Sequence, residues 1–311
     1  MEKTVLVTTS TFSHEDAAPR EELSRAGLAV QENPYRRRLT EAEVLELLEK
    51  TRALGMIAGL EPLTARVLER CAPHLKVISR CGTGLDNVDL AAAERLGIRV
   101  FNTPGAPTLA VAELTIGLIL AVLRRIAECD RDIREGRWER PMGRLLEGKT
   151  VGIVGCGRIG SRVARLAAAF GCRVIGYDPG GHETPGIERV PFEELLRTSH
   201  VVTLHANMNE QARGLINAER LALMRHDAIL INASRGGLVD EEALLAALKE
   251  KRLAGAAVDT FEQEPYTGPL RELRNVVLTG HIGSAAQECR VRMELEAAAN
   301  LVEGLRAAGA A

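Results

Sequence analysis

Lys149 to Asp178, KTVGIVGCGRIGSRVARLAAAFGCRVIGYD, reads as strand, glycine turn, helix, strand and a terminal carboxylate. Thr150 to Val154 is a short apolar run rich in β-branched residues, and Gly155-Cys156-Gly157-Arg158-Ile159-Gly160 then fits G-x-G-x-x-G where a helix must begin. The first glycine permits the tight turn, the second lets backbone approach a pyrophosphate, and the third lets the helix lie close on the sheet. The positive end of a helix from Arg158 to Phe170, closed by Gly171, would face the phosphates. Arg173 to Tyr177 is the next strand, and Asp178, eighteen residues past Gly160, stands where a carboxylate accepts from both ribose hydroxyls. Asp178-Pro179-Gly180-Gly181 carries no arginine to neutralise a 2′-phosphate, so NAD is expected over NADP. A methyltransferase or a flavin site on a similar unit is the rival reading, which features further along the chain oppose.

Working outward, strands are expected at 150 to 154, 173 to 177, 200 to 204, 227 to 232, 254 to 258 and 275 to 278, a complete doubly wound dinucleotide fold. Upstream, Thr4 to Val7, Leu28 to Gln31, Met56 to Ala58, Leu75 to Ser79 and Ile98 to Phe101 are β-type runs separated by helical segments. Thr40-Glu41-Ala42-Glu43 is a capping box, and Asp89 caps a helix that Gly97 closes. Asn102-Thr103-Pro104-Gly105-Ala106-Pro107 is a Pro/Gly-rich crossing. After it a helical pattern runs from Thr108 to about Glu135 and would span roughly 40 Å. The helical tail from Ala285 to Leu305 is left over once the second fold is full and should return to the first unit. The fold class is therefore α/β, with two doubly wound parallel-sheet domains: a discontinuous flavodoxin-like substrate domain at 1–101 and 285–311, and a Rossmann NAD domain at 102–284.

The chain has 311 residues, and 40 basic against 42 acidic side chains give a formal charge of −2, so no nucleic acid or other polyanion partner is indicated. Six scattered cysteines show no metal-ligand spacing, and no metal is expected; a reducing cytoplasm is the simplest setting. MEKTVLVTTS is too short in its apolar run for a signal segment, and Leu109 to Leu123, interrupted by Glu113, is too short to cross a membrane.

Three segments fall at expected carboxyl ends of strands, where open α/β sheets bind ligands: Asn232-Ala233-Ser234-Arg235, Asp259 to Pro265, and Thr279-Gly280-His281-Ile282-Gly283. They would bring an arginine, a carboxylate and a histidine beside the nicotinamide. Reduction of a 2-oxoacid builds charge on the carbonyl oxygen, and a histidine can supply the proton near neutral pH. A carboxylate favours its imidazolium, and an arginine forks onto the substrate carboxylate. His281 is thus expected as acid/base, Glu264 as its partner and Arg235 as electrophile and anchor. Taken singly, a loop histidine, a surface arginine and a turn glutamate are ordinary structural residues; the three together at strand ends are not. His205, Cys81 and Cys156 read as structural residues.

SRCGTGLDNVDL, FNTPGAPTLAVAELTIGLIL, REGRWER, LEGKTVGIVGCGRIGSRVA, INASRGGLVDEEALLAAL, AGAAVDTFEQEP and HIGSAA follow one another in an order that resembles the D-isomer-specific 2-hydroxyacid dehydrogenases, most of all the D-3-phosphoglycerate dehydrogenases. The resemblance implies the same roles for Arg235, Glu264 and His281. It implies that Arg80, Cys81, Gly82, Thr83 and Gly84 present backbone N–H groups to the substrate carboxylate, a nest the two glycines permit. It places Thr83, Gly155, Gly157, Arg158, Ile159, Gly160, Asp178, Ala206, Ala233, Ser234, Arg235, Asp259, His281 and Gly283 at the dinucleotide.

The sequence also departs from that pattern. Gly280 stands where a proline usually precedes the histidine, which should loosen the loop; His205-Ala206-Asn207 and Ala212 alter the cofactor rim; Ala58-Gly59-Leu60-Glu61 lacks an arginine found in phosphoglycerate enzymes. With the sequence running to 311, serine feedback through the regulatory modules that follow in many such enzymes is not expected. The substrate expected first is 3-phosphoglycerate with its 2-oxoacid; hydroxypyruvate, glyoxylate or another small polar acid is the alternative. An NAD-sensing corepressor or scaffold is the reading from another class, which the retained proton donor opposes. The long apolar helix with Trp138 after it leads to the expectation of a homodimer.

Overall fold

The computed structural model describes residues 3–181 and 184–310, and the chain divides into two compact units, 1–107 with 284–311 and 108–283. In the first unit β1 (Lys3–Val7), α1 (Ala18–Arg25), β2 (Leu28–Glu32), α2 (Glu41–Thr51), β3 (Gly55–Ala58), α3 (Ala65–Cys71), β4 (Val77–Arg80), α4 (Leu90–Arg95) and β5 (Arg99–Asn102) alternate. The strands form one parallel sheet in the order β2-β1-β3-β4-β5. β3 and β4 are buried at every residue, as strands covered on both faces must be. Thr40 and Glu43 close the reciprocal cap on α2, and Asp89 caps α4 through Ala92 N.

The second unit contains α5 (Pro107–Leu123), α6 (Ile126–Arg134), β6 (Thr150–Val154), α7 (Arg158–Ala169), β7 (Arg173–Tyr177), β8 (Glu188–Arg189), α8 (Phe192–Thr198), β9 (Val201–Leu204), α9 (Ala218–Leu223), β10 (Ile229–Asn232), α10 (Glu241–Lys249), β11 (Gly255–Val258) and β12 (Val276–Leu278). Its sheet is parallel, in the order β12-β11-β10-β9-β6-β7-β8. The tail helix α11 (Gln287–Ala307) belongs to the first unit, where Met293, Ala297, Leu301 and Leu305 are buried and it packs on α1, β3, β4 and β5.

Two expectations need correction. The single helix from Thr108 to Glu135 is two helices: Arg125 takes φ +54° between them, and its guanidinium forks onto Glu128 at 2.7 and 2.8 Å. The Leu123 carbonyl, released by the break, accepts from Arg144 N at 2.9 Å. The sheet also has a seventh strand, β8, whose two residues pair with Ile175 and Gly176 of β7. Two residues carry no readable period, so sequence reasoning passed over it.

Candidate active site

The glycine turn lies between β6 and α7, and its glycines differ in what surrounds them. Gly155 has φ +94°, and a Cβ there would stand 2.7 Å from the His205 carbonyl; a Cβ at Gly160 would collide with the Gly155 carbonyl oxygen. A Cβ at Gly157 would meet nothing within 4 Å. Gly157 caps α7 without a side-chain bond, so the helix's first N–H groups, at Arg158 and Ile159, are left for a ligand. A backbone cradle open at Gly157 and closed behind Gly160 fits a dinucleotide pyrophosphate. Asp178 is buried, accepting from Cys156 N at 2.7 Å through Oδ2 and from Gly180 N at 2.8 Å through Oδ1. Sequence reasoning missed Arg189, which donates from Nη2 to the Asp178 carbonyl and from Nη1 to the Gly181 carbonyl, each at 3.1 Å. Its signal is the β7–β8 register, invisible until the chain is folded.

The loops after β10, β11 and β12 also meet in this unit. A Cβ at Gly236 would strike the Phe261 backbone, so only glycine lets the first two loops abut. Within the first, Asn232 Nδ2 bonds the Arg235 carbonyl at 2.9 Å, Ser234 Oγ the Ala206 carbonyl at 2.8 Å, and Arg235 Nη1 the Ser234 carbonyl at 2.8 Å; Ala233 is buried. His281 Nδ1 lies 3.1 and 3.0 Å from Glu264 Oε1 and Oε2, and Oε1 also accepts from Phe261 N at 3.1 Å. Both side chains keep some exposure, 30% for His281 and 20% for Glu264. This geometry commits Nδ1 to the carboxylate and leaves Nε2 for a reacting group.

Asp259 has a different place from the one expected. It is 0% exposed, and its carboxylate accepts from Ile282 N at 2.8 Å, Gly283 N at 3.0 Å and Thr279 Oγ1 at 2.6 Å, while His281 N donates to its carbonyl at 2.7 Å. The side chain is enclosed by the loop it holds. The same bonds restrain His281 despite Gly280, so the loosening expected from a missing proline has a counterweight. Burial pushes His205 down to about 3, and its Nε2 sits 3.0 Å from Thr203 Oγ1; a neutral ring there is no rival proton donor. Burial pushes the Cys81 and Cys156 thiols up to about 11, which suits inert fillers.

In the first unit the turn from Arg80 to Gly84 is partly closed on itself. Cys81 N donates to the Ala58 carbonyl at 2.9 Å, Gly82 N to Thr103 Oγ1 at 2.8 Å, and the buried Arg80 guanidinium to the Cys81 carbonyl. Of the five N–H groups assigned to an anion, those of Cys81 and Gly82 are therefore engaged internally. Those of Thr83 and Gly84 have no bond among the described residues, and Thr83 Oγ1 is buried without one. Beside this turn Glu61, 1% exposed, accepts from Thr8 Oγ1 and from Gly59 N at 3.0 Å. Burial holds its carboxyl above the ordinary value.

Residues 116–283, more than half the chain, match the D-isomer specific 2-hydroxyacid dehydrogenase, NAD binding domain. The chain belongs to that family. This dehydrogenase is 43% identical over 272 residues to a glyoxylate reductase of Thermococcus litoralis, covering 82% of each chain. It is 42% identical over 260 residues to a D-3-phosphoglycerate dehydrogenase of Methanocaldococcus jannaschii, covering 81% of this chain and 49% of that one. A Thermus thermophilus protein of known crystal structure superposes with a TM-score of 0.89 at 40% identity, covering 98% of this chain and 97% of its own. The protein is an NAD-dependent oxidoreductase of D-2-hydroxyacids with two parallel-sheet α/β units.

Proposed function

We propose that His281, Glu264 and Arg235 carry the interconversion of a D-2-hydroxyacid and its 2-oxoacid, and that the observation which supports this most is the 3.0 Å approach of His281 Nδ1 to Glu264 Oε2. When bound, the nicotinamide coenzyme supplies or takes up the hydride. As charge grows on the carbonyl oxygen, His281 delivers a proton to it from Nε2, and in the reverse direction removes it. Glu264 fixes the ring by holding Nδ1, which leaves Nε2 as the atom that carries the transferred proton. Arg235 forks onto the substrate carboxylate and draws charge toward the carbonyl oxygen. Within the first unit the N–H groups of Thr83 and Gly84 are the part of the Arg80 to Gly84 turn best suited to an anion; within the second, Gly157, Arg158, Ile159 and Asp178 are the coenzyme contacts and Asp259 is a positioning residue.

The reading sets glyoxylate and hydroxypyruvate ahead of 3-phosphohydroxypyruvate, the reverse of the order that motif resemblance suggests. Ala58 offers no cation, and Glu61 is buried beside the anion turn, where a phosphate would meet a carboxyl. A panel of 2-oxoacids with NADH tests this: turnover of none defeats the enzyme reading, and preference for the phosphorylated acid defeats the substrate order. His281→Ala should abolish turnover while NAD affinity, measured by protein fluorescence, stays near wild type.

We also propose a homodimer, supported by the exposure of Trp138 at 82%, Met142 at 87% and Leu145 at 67%, together with that of Ile126 and Ile133 on α6. A monomer in sedimentation at micromolar concentration would contradict it. A cytoplasmic setting is supported by six free thiols; among the described residues no helix is long and apolar enough to cross a membrane.

A further inference from the structure

Asp178 is read as the residue that selects NAD, yet it does not stand alone. The parallel register places Arg189 opposite Gly176, two residues before Asp178, at the sheet edge. The exposed guanidinium lies against the turn that carries the carboxylate, on the Asp178 and Gly181 carbonyls. Those two bonds use two of an arginine's five donors. Its neighbour Glu188 does not neutralise it, being paired with Arg173 at 2.8 Å. Among the described residues no carboxylate forms an ion pair with Arg189. A fixed anion and a cation without such a partner therefore sit at one turn.

We propose that Arg189 is a coenzyme-selectivity residue: it braces the Asp178 turn for a ribose diol, and it is the cation that a ribose 2′-phosphate would find if the Asp178 carboxylate were removed. In the wild type the carboxylate accepts from the ribose hydroxyls and repels a phosphate dianion, so the guanidinium serves only through the carbonyls it holds. Without the carboxylate, its remaining N–H groups are suited to a charge-assisted bond with phosphate oxygens. The NAD site is thus one charge away from accepting NADP. This inference rests on the coenzyme site alone and stands whichever acid is the substrate.

The test is a titration of NADH and NADPH by fluorescence, which needs no turnover, on four proteins: wild type, Asp178→Asn, Arg189→Ala and the double variant. Asp178→Asn retains an acceptor for one of the two backbone N–H groups and should bind NADPH at least about tenfold tighter than wild type, a change of about 1.4 kcal/mol. Adding Arg189→Ala should erase that gain. Arg189→Ala alone should weaken NADH a few-fold and leave NADPH weak. Asp178→Ser repeats the measurement should the asparagine variant lose its fold, read by circular dichroism. The proposal is overturned if the double variant binds NADPH as well as the single one, or if neither Asp178 variant gains NADPH affinity.

Discussion

The two sheets end in opposite ways. Past β1, β3 and β4 the polar groups turn inward: Thr8, Gly59 and Glu61 bond one another, Arg80 covers its own turn, and Gly82 N closes on Thr103. Past β6, β10, β11 and β12 buried side chains such as Asp178 and Asp259 also hold the loops, but Gly157 opens on empty space, and His281 and Glu264 remain part exposed. The same architecture therefore ends the first sheet in a cluster closed on itself, with the Thr83 and Gly84 N–H groups left over, and the second in loops that keep His281 and Glu264 part exposed. Substitutions should separate the two.

The largest effect should come from His281→Ala, which lowers kcat by about 10²- to 10⁴-fold, the usual worth of a positioned acid/base. A loss under tenfold would show that the second unit's exposed pair is as structural as the first unit's cluster. Asp259→Ala comes next, because it strips the carboxylate that accepts from Ile282, Gly283 and Thr279. Leaving buried donors unpaired should cost about 2–4 kcal/mol in urea unfolding. An unchanged midpoint would mean that Asp259 does not hold the loop.

The glycine turn divides the comparison within one motif. Gly160→Ala places a methyl into the Gly155 carbonyl and should unfold at lower temperature, whereas Gly157→Ala meets nothing and should leave Tm unchanged while weakening NAD at least tenfold. Equal losses of Tm would erase the distinction between a packing glycine and a ligand glycine.

The smallest effect is in the first unit. Burial raises the Glu61 carboxyl, so between its unfolded and folded values the native chain holds a proton that the unfolded chain has released. The stability this proton contributes is complete below the unfolded value and is lost as pH rises through the folded one. Glu61→Gln should therefore gain on wild type as pH rises from about 4.5 toward 7, by about 1.4 kcal/mol for each unit of elevation. A stability gap that shrinks over that range would show the carboxyl to be favourably ionised.

The sequence made the architecture legible where patterns were long. The Gly155 to Gly160 turn with its flanking strands, the Thr40 capping box and the apolar tail each carry several agreeing signals. His281 and Glu264 were legible as a pair because each follows a recognisable strand. What escaped was decided by single backbone angles or by register: Arg125 in the left-handed region breaks a helix whose residues otherwise propagate it, and Arg189 reaches its turn through a strand of two residues. Asp259 was legible as a residue at a strand end; that its carboxylate faces inward depends on a loop that closes only after β12 is placed.

His281 itself has φ +57°, the left-handed region that side chains other than glycine enter at a cost of about 1–3 kcal/mol. With His281 as the proposed proton donor, catalytic competence and native-state durability are set against each other at a single residue. His281→Gly would release that tension and abolish the proton donor in one step, giving an inert protein that outlasts its working parent on heating. Selection for thermal robustness alone would drift toward that dead end.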